Sequence, residues 1–469
     1  MKTILSLILL SLSLYSSDRE GDREILHEKA GDEFVNFHFF RDGEGMTLTP
    51  NLSKFMWMLK PSLENKSQDK GLTERLGKIF GFTTIGTKFV GVFNVPYKKM
   101  DIGVLGCTAC HSGKAAGVFV PGLGNKEIDP FRIGQNSIMV QSFWGRFGRS
   151  REFKRIHQNA MNFSKVTADK NIGNLTRGLV SDAIISTFFY KENGLKYPKM
   201  KRAQVKVPHL WGVKEKAKNG IFADGFLSGS KNYAWVFGAE LFASDSSEHL
   251  RKSLPRITHL VDNVLGNLLP PKYPFKTNQE LAAKGKVLFE KNCMSCHGDH
   301  ERDQQGYPLY TAPKVVPIER VKTDPDRLHA YNPELVRLMK SISISDILYF
   351  NEENYRKGYF APKLWGIWSR FPYLHNGSVP TIMALLTPEE QRPQAFSMKD
   401  AGEAYRFDKK NLGLTIHRPD HLLRKAKKGN RDIYYVKREG HSNQGHYFKK
   451  FDRLSMRDKL ELIEYLKTL

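Results

Sequence analysis

Cysteine is scarce in this chain, four among 469 residues. All four fall in two equal spacings, Cys107-Thr108-Ala109-Cys110-His111 and Cys293-Met294-Ser295-Cys296-His297, so none remains for a disulfide framework, a separate metal site or a thiol nucleophile. Acidic residues are also in deficit, 49 Asp and Glu against 73 Lys and Arg, which gives a formal charge of +24. The N-terminal apolar run from Ile4 to Leu14 falls well short of the roughly 20 residues needed to span a bilayer. With Lys2 before it and Tyr15-Ser16-Ser17 after it, the run reads as a secretory signal over residues 1–16. No cysteine follows it to carry a lipid anchor.

C-x-x-C-H is the attachment signature of a c-type haem. Two thiols on one helical turn reach the two vinyl groups of a porphyrin, and the histidine that follows supplies an imidazole to the iron. Two covalently bound haem c groups are therefore expected, through Cys107, Cys110 and His111 and through Cys293, Cys296 and His297. The alternatives are two redox C-x-x-C pairs or one four-cysteine zinc site, and neither chemistry requires a histidine directly after each pair. Haem attachment outside the cytoplasm agrees with export, so the periplasm is the expected compartment. For such a protein the positive charge points away from nucleic acid, towards an acidic small redox protein or other electron donor or acceptor, and towards an anionic membrane surface. The densest basic stretch, Arg418 to Arg438, reads as a solvated loop.

The chain is globular in composition, with 40% hydrophobic and 12% aromatic residues. Residues 17–100 form an extension to which the sequence assigns no chemistry. Residues 101–270 are expected to hold the first haem and residues 276–469 the second, divided at Pro270, Pro271 and Pro274. The Gly- and Pro-rich stretch from Gly113 to Gly134 predicts irregular backbone. Helical spacing predicts helices over Asn174 to Tyr190, Tyr233 to Phe242 and Ile257 to Leu268. A further helix over Asn278 to Lys291 opens on a capping box, Thr277 with Glu280, and delivers Cys293. Ser455 and Asp458 open a last helix to Leu466. Gly285 facing Tyr465 would let these two helices cross closely. A weak repeat joins the halves: Pro208-His209-Leu210-Trp211-Gly212 is echoed by Pro362-Lys363-Leu364-Trp365-Gly366, and Asp224-Gly225 by Asn376-Gly377. The fold class expected is all-α, two tandem cytochrome c-type haem domains with long irregular loops.

The run Leu364 to Thr381, with Pro372-Tyr373-Leu374-His375-Asn376-Gly377-Ser378 at its centre, resembles the di-haem cytochrome c peroxidase superfamily. Together with Gly122-Leu123-Gly124-Asn125-Lys126 and the ending Asn443-Gln444-Gly445-His446, it is most similar to the branch that includes the haem-dependent rubber oxygenases. The resemblance covers roughly Gly103 to Leu469. It implies unequal haems: a substrate-facing haem with an open or displaceable sixth position on the N-terminal motif, and a six-coordinate electron-transfer haem on the C-terminal motif. Peroxide, dioxygen or an organic substrate would then react at the first haem.

The methionine ligand of the peroxidase pattern is missing from its place, where Glu389 and Glu390 stand, with Met383 and Met398 displaced. In the oxygenase-like branch a histidine near the C-terminus takes that role, and His446 matches it. His375 would then bond a propionate or orient the haem. Trp211 matches an aromatic placed between the haems and Phe226 an apolar residue over the open iron face. Core packing is the ordinary role of both aromatics. The alternative function is an electron-transfer di-haem cytochrome without turnover, and a strong sixth ligand on the first haem, with His209 the nearest candidate, would favour it. A calcium site between the halves is left open.

Overall fold

A β-hairpin, not a helix, leads into the first motif of the computed structural model, which describes residues 27–37, 47–49, 70–98, 100–144, 150–168, 176–181, 204–219, 224–226, 247–311, 314–341, 350–417 and 419–469. The expected signal over residues 1–16 and helix over Tyr233 to Phe242 lie outside these residues. Thr47–Thr49 (β1), Val92–Tyr97 (β2) and Met100–Leu105 (β3) form an antiparallel sheet with β3 in the middle. β2 and β3 are rich in Val, Ile, Phe and Tyr, residues that suit a pleated half-buried surface, and Ile102 and Val104 are buried. β3 feeds the single helical turn Thr108–His111 (α1). Gly91 has φ +76°, and a Cβ there would lie 2.0 Å from the backbone nitrogen of Ala109. Only a residue without a side chain lets β2 lie so close against the motif. Part of the extension without assigned chemistry is thus a wall of the first motif.

The stretch expected to be irregular after that motif is a hairpin, Ser112–Ala115 (β4) with Val118–Pro121 (β5), then a loop and the helix Pro130–Trp144 (α2). Arg151–Thr167 (α3) packs on α2 and is capped by the Ser150 hydroxyl, which accepts from the Phe153 amide at 3.1 Å. The helix expected from Asn174 is not present where the chain is described. Leu179–Ser181 (β6) pairs with Gln204–Lys206 (β7), because Gly178 at φ +81° reverses the chain before an apolar pattern that suits either state. Val213–Asn219 (α4) follows the Trp211 turn. Ser247–His259 (α5) continues through one π turn and one 3₁₀ turn to Asn267, so the helix expected over Ile257 to Leu268 is present but irregular.

In the second half Gln279–Asn292 (α6) is capped by Asn278 rather than Thr277: its carboxamide oxygen accepts from the Leu281 amide at 3.0 Å. Met294–His297 (α7) is the turn that carries the second motif. Met456–Lys467 (α8) opens with the full Ser455–Asp458 capping box. α6 and α8 cross so closely that a Cβ on Gly285 would lie 1.9 Å from the carbonyl oxygen of Glu461. Lys314–Pro317 (β8) and Gly358–Ala361 (β9) pair between them. One three-stranded and six two-stranded sheets are present among the described residues, so the all-α expectation is corrected: glycine turns flanked by β-branched and aromatic residues close into hairpins around the helices. One buried cluster spans both halves and holds Trp211, Phe226, Phe289, Trp365 and Trp368. The basic stretch expected as a loop contains the helix Pro419–Lys427, with Arg424, Lys425 and Lys427 exposed. No helix among the described residues is long and apolar enough to cross a membrane.

Candidate functional site

A cavity of about 810 Å³ joins the two motifs, lined at one end by Cys110 and His111 and at the other by Cys293, Cys296 and His297, while Cys107 is buried beside it. His111 Nδ1 bonds the carbonyl of Pro208 at 2.9 Å, and His297 Nδ1 bonds that of Pro362 at 2.8 Å. A carbonyl only accepts, so each Nδ1 carries the proton and each Nε2 keeps its lone pair. Burial lowers both imidazoles to about 4, which keeps them neutral and able to ligate.

The sequence repeat is thereby given a physical meaning. Each Pro-x-Leu-Trp-Gly segment supplies the carbonyl that orients the histidine of its own half. Gly212 and Gly366 turn the chain away at φ +68° and +65°. Asp224 and Asn376 then close equivalent turns, accepting from the amides of Phe226 at 3.1 Å and Ser378 at 3.2 Å. Trp211 lies in the core and donates its indole N–H to the Trp365 carbonyl at 3.2 Å, which links the two repeats directly. The His209 ring packs tilted against Trp211 with centroids 4.6 Å apart.

Across the cavity, the His446 ring stands 6.1 Å from that of His297. Two imidazoles so spaced leave room for one metal between them at bonds of about 2 Å. Burial, with the His297 charge second, lowers His446 to about 3. Its loop is fixed by residues that no motif singles out. The His446 amide donates to Val321 at 2.7 Å, the Gly445 amide to the Glu389 carboxylate at 2.7 Å, and Arg392 donates to the carbonyls of Gly445 at 2.9 Å and of Asn443. Glu389, noticed only because it stands where a methionine was expected, therefore positions the His446 loop. Met383 and Met398 are not among the residues lining the cavity. His375 does line it, stacked on Tyr359 at 4.1 Å and lowered to about 3 by burial.

Phe226 is not brought to the cavity lining. It is packed among Tyr331, Phe350 and Tyr355 at 5.0 to 5.6 Å, aromatics of the second half. Asn125 was visible only within the Gly-Leu-Gly-Asn-Lys stretch; its carboxamide donates to Gly81 at 2.8 Å and Ala109 at 2.9 Å and so ties the first motif to the wall beneath it.

The donor set tests which group fits. Burial pushes the Cys293 thiol up to about 12, the opposite of the acidified thiol that dithiol redox chemistry uses. Among the described residues no three Cys, His, Asp or Glu side chains are placed to hold a metal ion, which leaves no four-cysteine zinc site there. A porphyrin fits better: paired thiols, a neutral imidazole at each motif, apolar walls, and cations at the cavity surface to meet its carboxylates.

Comparison with known proteins agrees for the second half. Residues 282–360 match the cytochrome c family, and residues 358–397 match a family described as RoxA-like, cytochrome c-like. Two proteins of Sinorhizobium fredii are similar to this chain. One, y4iM, is 30% identical over 247 residues, 45% of this chain and 54% of the relative. The other, y4iJ, is 25% identical over 341 residues, 57% of this chain and 55% of the relative. Both are described only as uncharacterized, and the chain spans about half the length of each. The chain carries a cytochrome c domain, with RoxA-like sequence continuing from it. Cytochrome c domains bind haem c covalently and serve haem-based electron transfer or oxidoreduction.

Proposed function

We propose that this protein is an exported, periplasmic di-haem c-type oxidoreductase related to the di-haem peroxidases and closest in character to the rubber-oxygenase-like branch, in which the N-terminal haem activates peroxide or dioxygen and the C-terminal haem transfers electrons. The observation that carries the reading is the inequality of the two motifs. His446 stands across from His297, whereas among the described residues no ring stands in that way against His111. The bound haems would supply the redox-active iron. The chain's own residues do the rest: Cys107, Cys110, Cys293 and Cys296 attach, His111, His297 and His446 ligate, and the Pro208 and Pro362 carbonyls hold the ligand tautomers. Trp211 connects the two repeats through its bond to Trp365, and His375 lies where it can orient a porphyrin edge. An acidic redox protein suits the basic surface as partner.

Intact mass in denaturant and carbon monoxide binding test the reading together. Two thioether-bound haems per chain and one carbon monoxide per reduced chain are expected. A mass fitting zinc or bare thiols would overturn it. Absence of carbon monoxide binding in the wild type, with binding gained in His209→Ala, would make the protein an electron-transfer cytochrome.

A further inference from the structure

The charges around the cavity are all of one sign. Lys206, Lys216, Arg320, Arg327, Arg370 and Lys450 line it, and no Asp or Glu does. Arg327 is neutralised by Asp224 at 3.0 Å. Arg370, Lys206 and Lys216 have no carboxylate within ion-pair distance among the described residues, although Arg370 is only 9% exposed. Arg370 and Lys206 are also held close together. Lys206 Nζ donates to the carbonyls of Arg370 at 2.6 Å and Pro372 at 2.9 Å, and Arg370 Nη1 donates to that of Lys363 at 2.8 Å, leaving Arg370 Nε without a partner.

Carbonyls satisfy hydrogen bonds but do not cancel charge, and like charges buried together disfavour one another. Burial alone lowers Arg370 to about 10, and burial followed by repulsion from Arg370 lowers Lys216 to about 8. Arg370 belongs to the second half, where its charge reaches His297. Lys206 and Lys216 belong to the first, where Lys216 reaches His111. The missing counter-charge must therefore be anionic, must enter the cavity, and must be reachable from both ends.

We propose that Arg370, Lys206 and Lys216 form one shared carboxylate site that takes a propionate from each of the two haems, so that a single cation group sets both reduction potentials. The proposal rests on the two-haem reading above. A cation favours the reduced, less positive iron, so removing one lowers the potential of every haem whose propionate it meets.

Spectroelectrochemical titration of the purified holoprotein tests it, with haem count by intact mass measured first. Arg370→Gln should lower both midpoint potentials by at least a tenfold change in the one-electron equilibrium, about 59 mV. Arg370→Lys, which keeps the charge, should restore most of both. Lys216→Met should also lower both, and it covers the case in which Arg370→Gln does not fold. A wild type with fewer than two haems would overturn the two-haem reading and the shared site with it. Two haems of which only one shifts, in Arg370→Gln or Lys216→Met, would leave that reading standing and overturn the sharing alone.

Discussion

The two ends of the cavity are built on one plan and finished differently. In both, a C-x-x-C-H turn projects an imidazole whose Nδ1 is pinned by the carbonyl of a Pro-x-Leu-Trp-Gly segment, at 2.9 Å and 2.8 Å. The second imidazole then faces His446, on a loop fixed by Val321, Glu389 and Arg392. The first sits over a hairpin and α2, beside Lys216 and His209. The difference teaches that what a repeat preserves is the support behind the ligand, while the opposite side of the cavity is free to diverge. On the function proposed above, that freedom would let one half carry electrons and the other hold the reactive centre.

The largest effect is expected where the comparison is sharpest. His446→Ala should turn the whole of the second haem from low-spin to high-spin in the absorption and magnetic spectra, whereas His375→Ala should leave it low-spin. Exchange of those two outcomes would transfer the ligand role to His375. The repeat can next be tested by making its copies alike. Asp224→Asn gives the first turn the residue of the second but removes the carboxylate that Arg327 meets at 3.0 Å, an expected loss of about 1.5 to 3 kcal/mol in denaturant unfolding. A loss under about 1 kcal/mol would show that the pair is not what holds the first half against the second.

Gly285→Ala should cost about 1 to 3 kcal/mol by forcing α6 from α8, with the second haem's spectrum disturbed and the first unchanged. An equal disturbance at both haems would mean that the helix crossing supports the entire cavity. The smallest effect is a null one. His209 packs against Trp211, so His209→Ala should leave carbon monoxide stoichiometry at one per chain.

The site was more legible in the sequence than the fold. Spacing alone exposes the two motifs, because covalent attachment demands fixed neighbours. The α6–α8 crossing was readable from Gly285 and the Ser455 cap, since both are local signals with a direct structural meaning. The hairpins were not. Leu179 and Val180 carry an apolar pattern that fits a helix as well as a strand, and only their pairing with Gln204 to Lys206 decides between them. Glu389 and Arg392 escaped for another reason: they act on backbone atoms of a distant loop, a role that any carboxylate or guanidinium could fill and that leaves no motif. Phe226 was misplaced because an apolar residue near a cofactor and one in an aromatic cluster look alike in one dimension.

The packing around Gly91 bears on how the protein is made. In the folded chain Cys107 is 2% exposed, sealed beneath β2 and tied down through Asn125, while Cys110, Cys293 and Cys296 are half-buried. A thioether forms only while the thiol can be reached by the apparatus that joins it to the porphyrin. On the two-haem reading, the bond to Cys107 would therefore form before β2 and the Asn125 loop close over that sulfur.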